Sequence, residues 1–136
     1  MKDVIFDDFQ NAVDESLLRH RSIIDVLTKL EESQSRINRA VAKSITNCGC
    51  IHCELKKIDL PKDTDDIDVD IKEIKNCTKN TIKGKLCDDC REVIEKEIGN
   101  NLFYLASLCN TLDLNLYDIL LKEYDRTNIL GKFSLR

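Results

Sequence analysis

Two groups of cysteines, Cys48-Gly49-Cys50 with Cys53 and Cys87-Asp88-Asp89-Cys90, stand at the two ends of a stretch without helical periodicity, and each group abuts a long amphipathic segment. Any fold open to this chain must say where those thiols go. Each short group can fold its sulfurs to one side, and the loop between them can bring both groups to one tetrahedral Zn²⁺ at Zn–S distances of about 2.3 Å. Spacing by itself favours Cys50 and Cys53 over the tighter Cys48-Gly49-Cys50 pair, which its glycine also permits, with Cys87 and Cys90 on the other side. Four thiolates leave no open position for water, so such a metal would be structural and would contribute to folding directly. The competing readings are unrelated free thiols, a redox pair at Cys87-x-x-Cys90 where a helix N-terminus lowers a thiolate pKa, and an iron–sulfur cluster. Cys109 falls on an apolar face and reads as a small core residue. Cys77 has no assignment, His52 between the thiols reads as a solvent-facing residue with replacement of one ligand as the alternative, and His20 reads as a helix-end residue.

A disulfide framework is the weaker alternative for these seven cysteines. The first ten residues, MKDVIFDDFQ, lack the basic flank, apolar stretch and cleavage site of a secretory leader, which makes the cytoplasm the expected location, and thiols there are kept reduced. No apolar run approaches the roughly 18 residues of a membrane span. A net charge of −4 removes the footprint expected of a duplex nucleic-acid binder. One proline, four glycines and no tryptophan favour helices over a turn-rich sandwich.

The periodicity predicts four helices. Ile5, Phe6, Phe9, Val13 and Leu17 predict a helix over Val4 to His20, with Asp3 as its cap. Ile23, Leu27, Leu30, Ile37, Val41 and Ile45 predict a second over Ser22 to Thr46, ending near Asn47 before Gly49, with Gln34 interrupting the apolar stripe. A third runs from about Asp88 to Leu112, carrying Ile94, Ile98, Leu102, Leu105, Cys109 and Leu112 inward. Asn115 with Asp118 three residues on resembles a capping box and opens a fourth, Leu116 to Thr127. Between helices two and three, Pro61, the acidic run Asp63 to Asp66 and a segment at Ile67 to Ile74, read as a short helix over the alternative of an isolated alternating strand, fill an insertion over about 47–86. The expectation is one all-α domain over 1–136, a four-helix bundle with antiparallel neighbours.

Helix two carries Glu31-Glu32 followed by Ser35, and helix three carries Glu97 followed by Asn100; residues three and four apart share a helical face and can converge on one cation. In these segments, KLEESQS and KEIGNNLFYLASLCNTLDLNLYDILLKEY, the chain resembles the MazG-like all-α nucleoside triphosphate pyrophosphohydrolases, whose pattern is E-E-x-x-E on one helix and E-x-x-D on the next long one. The resemblance covers helices two to four without the insertion, and it implies a MazG-like bundle in which Mg²⁺ held by these carboxylates binds a nucleotide triphosphate and activates water. Two of the five acids are replaced, by Ser35 and Asn100, leaving Glu31, Glu32 and Glu97. The chain is more similar still to small bacterial proteins with N-C-G-C-I after helix two and L-C-x-x-C before helix three. That similarity implies Cys48, Cys50, Cys87 and Cys90 as the zinc ligands, with Cys53 a spare.

Two functional expectations follow from the resemblance. The first is a zinc-stapled MazG-like protein with a degenerate nucleotide and Mg²⁺ site at Glu31, Glu32, Glu97 and Asn100, acting as a binding or regulatory module. The second is a divergent metal-dependent pyrophosphohydrolase in which the three glutamates hold the metal and Asn100 orients the substrate. Beneath both lies the plain reading of these acids as a solvated helix face. A homodimer or higher homo-oligomer is expected, because so few amphipathic helices rarely close a bundle unaided and MazG-like proteins associate through theirs.

Overall fold

The computed structural model describes residues 4–54 and 82–130. Four helices carry the chain: α1 (Val4–Ser16), α2 (Ile23–Lys43), α3 (Asp88–Thr111) and α4 (Leu116–Leu130). Between α2 and α3 lie a π-helical turn (Ser44–Cys48) and two short strands, β1 (Ile51–Cys53) and β2 (Ile82–Gly84), paired antiparallel with Ile51 opposite Gly84 and Cys53 opposite Ile82. The all-α expectation therefore holds broadly, with a two-stranded ribbon added. Strands of three residues are too short to show alternation, so the ribbon has no signature in the sequence. The proposed caps and elements at Asp3, Pro61, Asp63 to Asp66 and Ile67 to Ile74, and Cys77, lie outside the described residues.

The helix ends follow from local chemistry. α1 stops at Ser16 rather than His20: Arg21 donates to the carbonyls of Asp14 and Leu17 and pairs with the Asp14 carboxylate at 3.0 Å, while His20 adopts a left-handed φ of 56° that no helix can include. Ser22 caps α2 by accepting from the Asp25 N–H at 3.1 Å. At its other end the π-helical turn carries helical hydrogen bonding to Cys48, one residue beyond the expected limit, and Gly49 at φ 75° closes it by donating to the Ser44 carbonyl. Asn115 caps α4 by accepting from the Asp118 N–H at 2.9 Å, and that helix continues past Thr127 to Leu130.

α2 and α3 form the most extensive helix pair, with α1 packed against α3 and α4. Their contact is centred on Val26 and Ser33 of α2 and on Ile94 and Ala106 of α3, all buried. The inward face of α2 is thus rotated from the expected stripe. Ile23 and Leu27 are partly exposed, Gln34 bonds along the surface to Asn38, and the small Ser33 takes the interior position, receiving a hydrogen bond from Asn101 at 3.0 Å. Ile98, Leu102 and Leu112 of the expected α3 stripe also remain about half exposed, whereas Cys109 is buried as expected and burial pushes its thiol pKa up.

A polar lock holds α1 to the α3–α4 turn. Gln10, 8% exposed, donates to Asn110 Oδ1 and the Leu114 carbonyl and accepts from the Leu116 N–H; Asn110 donates back to the Gln10 carbonyl. Truncating Gln10 removes three hydrogen bonds among part-buried groups, each loss costing about 1 kcal/mol or more where water cannot replace it. We expect Gln10→Ala to lower stability by about 2–4 kcal/mol in urea denaturation. A loss below about 0.5 kcal/mol would show that the lock is dispensable.

Candidate functional site

The cysteines meet where α2 ends and α3 begins. The Sγ atoms of Cys48, Cys50, Cys87 and Cys90 all lie within 4.8 Å of one another, and Cys48 and Cys87 are 3.8 Å apart. Sulfurs arranged tetrahedrally around a metal at about 2.3 Å stand about 3.8 Å apart, so this set fits a four-coordinate metal. Among the described residues it is the one cluster of three or more potential ligand side chains.

The backbone explains why these four meet and Cys53 does not. The tight turn comes before Cys50, at Gly49, which folds Cys48 and Cys50 to one side. After Cys50 the chain is extended, and at about 3.3 Å per strand residue this carries Cys53 roughly 10 Å onward into the ribbon. A C-x-x-C pair chelates when a turn lies inside it; Cys50-x-x-Cys53, the pair that spacing favours, contains a strand instead, and Cys53 is not in the cluster. β2 completes the knuckle through Gly84, at φ 88°, where a Cβ would lie 2.5 Å from the Cys50 carbonyl oxygen. On the other side Cys87 is the N-cap of α3, its sulfur accepting from the Cys90 N–H at 3.4 Å, which fixes both thiols on the first turn of the helix.

Four thiols this close cannot all ionise without a shared cation. A backbone hydrogen bond to Cys87 holds the Cys50 thiol below its ordinary pKa, and hydrogen bonding to Cys87 together with desolvation pushes Cys90 up to about 12. A bound dication reverses this balance and favours thiolate at every position.

The carboxylates form a different place. Glu32, Glu97 and Asn100 line a cleft of about 520 Å³ between α2 and α3, together with Lys29, Arg36, Lys96, Phe103 and Tyr104. Glu31 lies on the other side of α2, beside Leu27, Leu30 and Leu105. Ser35 is exposed on the surface of α2. Within the cleft Arg36 grips Glu97 through two hydrogen bonds, Nε to Oε2 at 3.0 Å and Nη2 to Oε1 at 3.2 Å, and Lys29 pairs with Glu32 at 3.0 Å. The Glu97 side chain is only 14% exposed, and its hydrogen bonds raise the Arg36 pKa. Lys29, through its hydrogen bond and its charge, lowers the Glu32 pKa.

This donor set is a poor fit to Mg²⁺, which requires a near-octahedral shell of oxygens. The cleft offers two carboxylates, each already engaged by a cation of the protein, and one amide. Arg36, which reaches Glu97 across the helices, has no local signature in the sequence, whereas Lys29 and Glu32 form an i, i+3 pair within α2. Comparison with family models, with curated proteins and with solved structures finds no match.

Ligand thiols must lose their protons to bind metal, so metal affinity should rise with pH across the neutral range and fall on acidification. Calorimetry in buffers of different ionisation heat checks the proton release; affinity independent of pH between 6 and 8 would contradict it. Metal content of substituted proteins separates the ligand sets: Cys48→Ser should lose bound metal or weaken it at least about tenfold, whereas Cys53→Ser should retain it.

Proposed function

We propose that this chain is a zinc-stapled, MazG-like helical protein whose α2–α3 cleft binds a nucleotide or a related phosphate without hydrolysing it, as a binding or regulatory module. The observation that carries this reading is the grip of Arg36 on Glu97, reinforced by Lys29 on Glu32. A catalytic Mg²⁺ site needs carboxylates free to face the ion. Here the protein's own cations neutralise them, and Lys96 adds a further positive charge to the lining. The cleft therefore suits an anion better than a dication. Phe103 and Tyr104 at its far end offer ring surface, and Asn100 offers a donor and an acceptor to a base edge.

Zinc is the ion we assign to the cysteine cluster, because a closed set of four thiolates at tetrahedral separations suits it and its role there is structural. Such a clamp ties the end of α2 to the start of α3 and so fixes the cleft between them.

A second copy of the chain is the partner we assign to the opposite side of the α2–α3 pair. Ile24, Leu27, Ile98 and Leu102 are 44–68% exposed there, flanking the groove of Leu30 and Leu105, and α4 buries none of its residues completely. Apolar surface of this kind on consecutive helices is characteristic of an oligomer contact.

Protein purified without chelators should contain about one zinc per chain, and a panel of nucleoside triphosphates with Mg²⁺ or Mn²⁺ should yield no pyrophosphate. Hydrolysis abolished by Glu32→Gln or Glu97→Gln would instead establish the divergent pyrophosphohydrolase. Sedimentation should give a dimer or larger species that Leu102→Glu dissociates; a stable monomer would remove the self-association.

A further inference from the structure

The cleft does not end at Glu97. A second depression of about 290 Å³, lined by Arg36, Arg39, Ala40, Lys43, Val93 and Glu97, adjoins it through the two residues they share. On α2, Lys29, Arg36, Arg39 and Lys43 are spaced by seven, three and four residues, which places them on one face of the helix. At 1.5 Å per residue the row is about 21 Å long, running from the aromatic pair towards the cysteine cluster. With Lys96, five cations line this groove against two carboxylates, in a chain whose net charge is −4. Both carboxylates are already engaged by Lys29 and Arg36. Among the described residues Arg39, Lys43 and Lys96 have no ion-pair partner.

From this we infer that the groove is a binding track for a short single strand of nucleic acid, of about three or four nucleotides. The inference rests on the α2–α3 cleft being an anion site and extends it to a longer ligand. A mononucleotide seated with its base at Phe103 and Tyr104 and its phosphates at Arg36 leaves Arg39 and Lys43 unanswered. A phosphodiester chain continuing along α2 meets both. An acidic peptide would satisfy the same cations but makes no use of the ring surface or of the Asn100 amide at the other end. A duplex is too wide for a crease between two packed helices and presents its bases stacked inside.

The test uses the intact, metal-loaded protein. Fluorescein-labelled hexathymidylate and hexauridylate are titrated by anisotropy at several salt concentrations, and the tighter of the two is compared with its own nucleoside triphosphate, used as an unlabelled competitor. The single strand should bind at least about tenfold more tightly than the triphosphate. In the double variant R39Q/K43Q, its affinity should fall at least about tenfold, and the slope of log affinity against log salt should lessen by about 1.4, while triphosphate affinity changes less than about twofold. Both side chains are exposed, so zinc content and circular dichroism should match the unsubstituted protein. If the triphosphate binds but the single strand binds no better, or the double variant binds the strand unchanged, the track is overturned and the cleft reading survives. Equal displacement of the probe by polyglutamate, or equal binding of a duplex dodecamer, also overturns it. Binding of neither strand nor triphosphate overturns both.

Discussion

Four sulfurs drawn within 4.8 Å of each other can all be thiolates only if a cation sits among them, and the backbone around them is shaped to bring them together. The backbone devices nearby serve it directly: the π-helical turn that ends α2, the left-handed Gly49, the contact that only a glycine at 84 allows, and the Cys87 cap on α3. Together they set the end of one helix against the beginning of the next across an insertion of more than thirty residues. The antiparallel register of α2 and α3 brings Ser33 to Asn101 and Arg36 to Glu97. The thiol cluster sits at one end of this helix pair, and the cleft lies between its two helices.

That register gives the helix pair two unlike sides. One is a basic crease in which the acids are already answered; the other is an apolar groove flanked by half-exposed Leu27 and Leu102. Glu31 and Glu32 illustrate the division, since adjacent residues on a helix lie about 100° apart and these two fall on different sides. An amphipathic helix normally divides core from solvent. Here the pair divides a basic face from the face we assign to self-association, and the core between them is thin, held by small residues such as Ser33 and Ala106.

Legibility in the sequence followed the range of each interaction. Helices α2 and α3 were readable because their apolar spacing is local, whereas the caps that start them, Ser22 and Cys87, carry no apolar signal and emerge only in the structure. The rotation of α2 was not readable: a serine in the interior and a leucine partly outside invert the hydropathy rule, and the cause is close approach to α3. The four clustered thiols are those the resemblance implies, while residue spacing pointed to Cys53, because spacing cannot tell a turn from a strand. The engagement of Glu97 by Arg36 spans 61 residues and leaves no trace in either helix alone. The row Lys29, Arg36, Arg39 and Lys43 was in plain view at helical spacing, and only the groove beneath it distinguishes it from an ordinary solvated face.

The central claim is that thiolates alone hold one zinc ion between α2 and α3. X-ray absorption at the zinc edge, on protein purified without added metal, reads that coordination shell without requiring any assay of activity. The account predicts four sulfur scatterers at about 2.3 Å and no nitrogen or oxygen in the first shell. A shell containing nitrogen or oxygen ligands, or the absence of a zinc edge from folded protein, would contradict it.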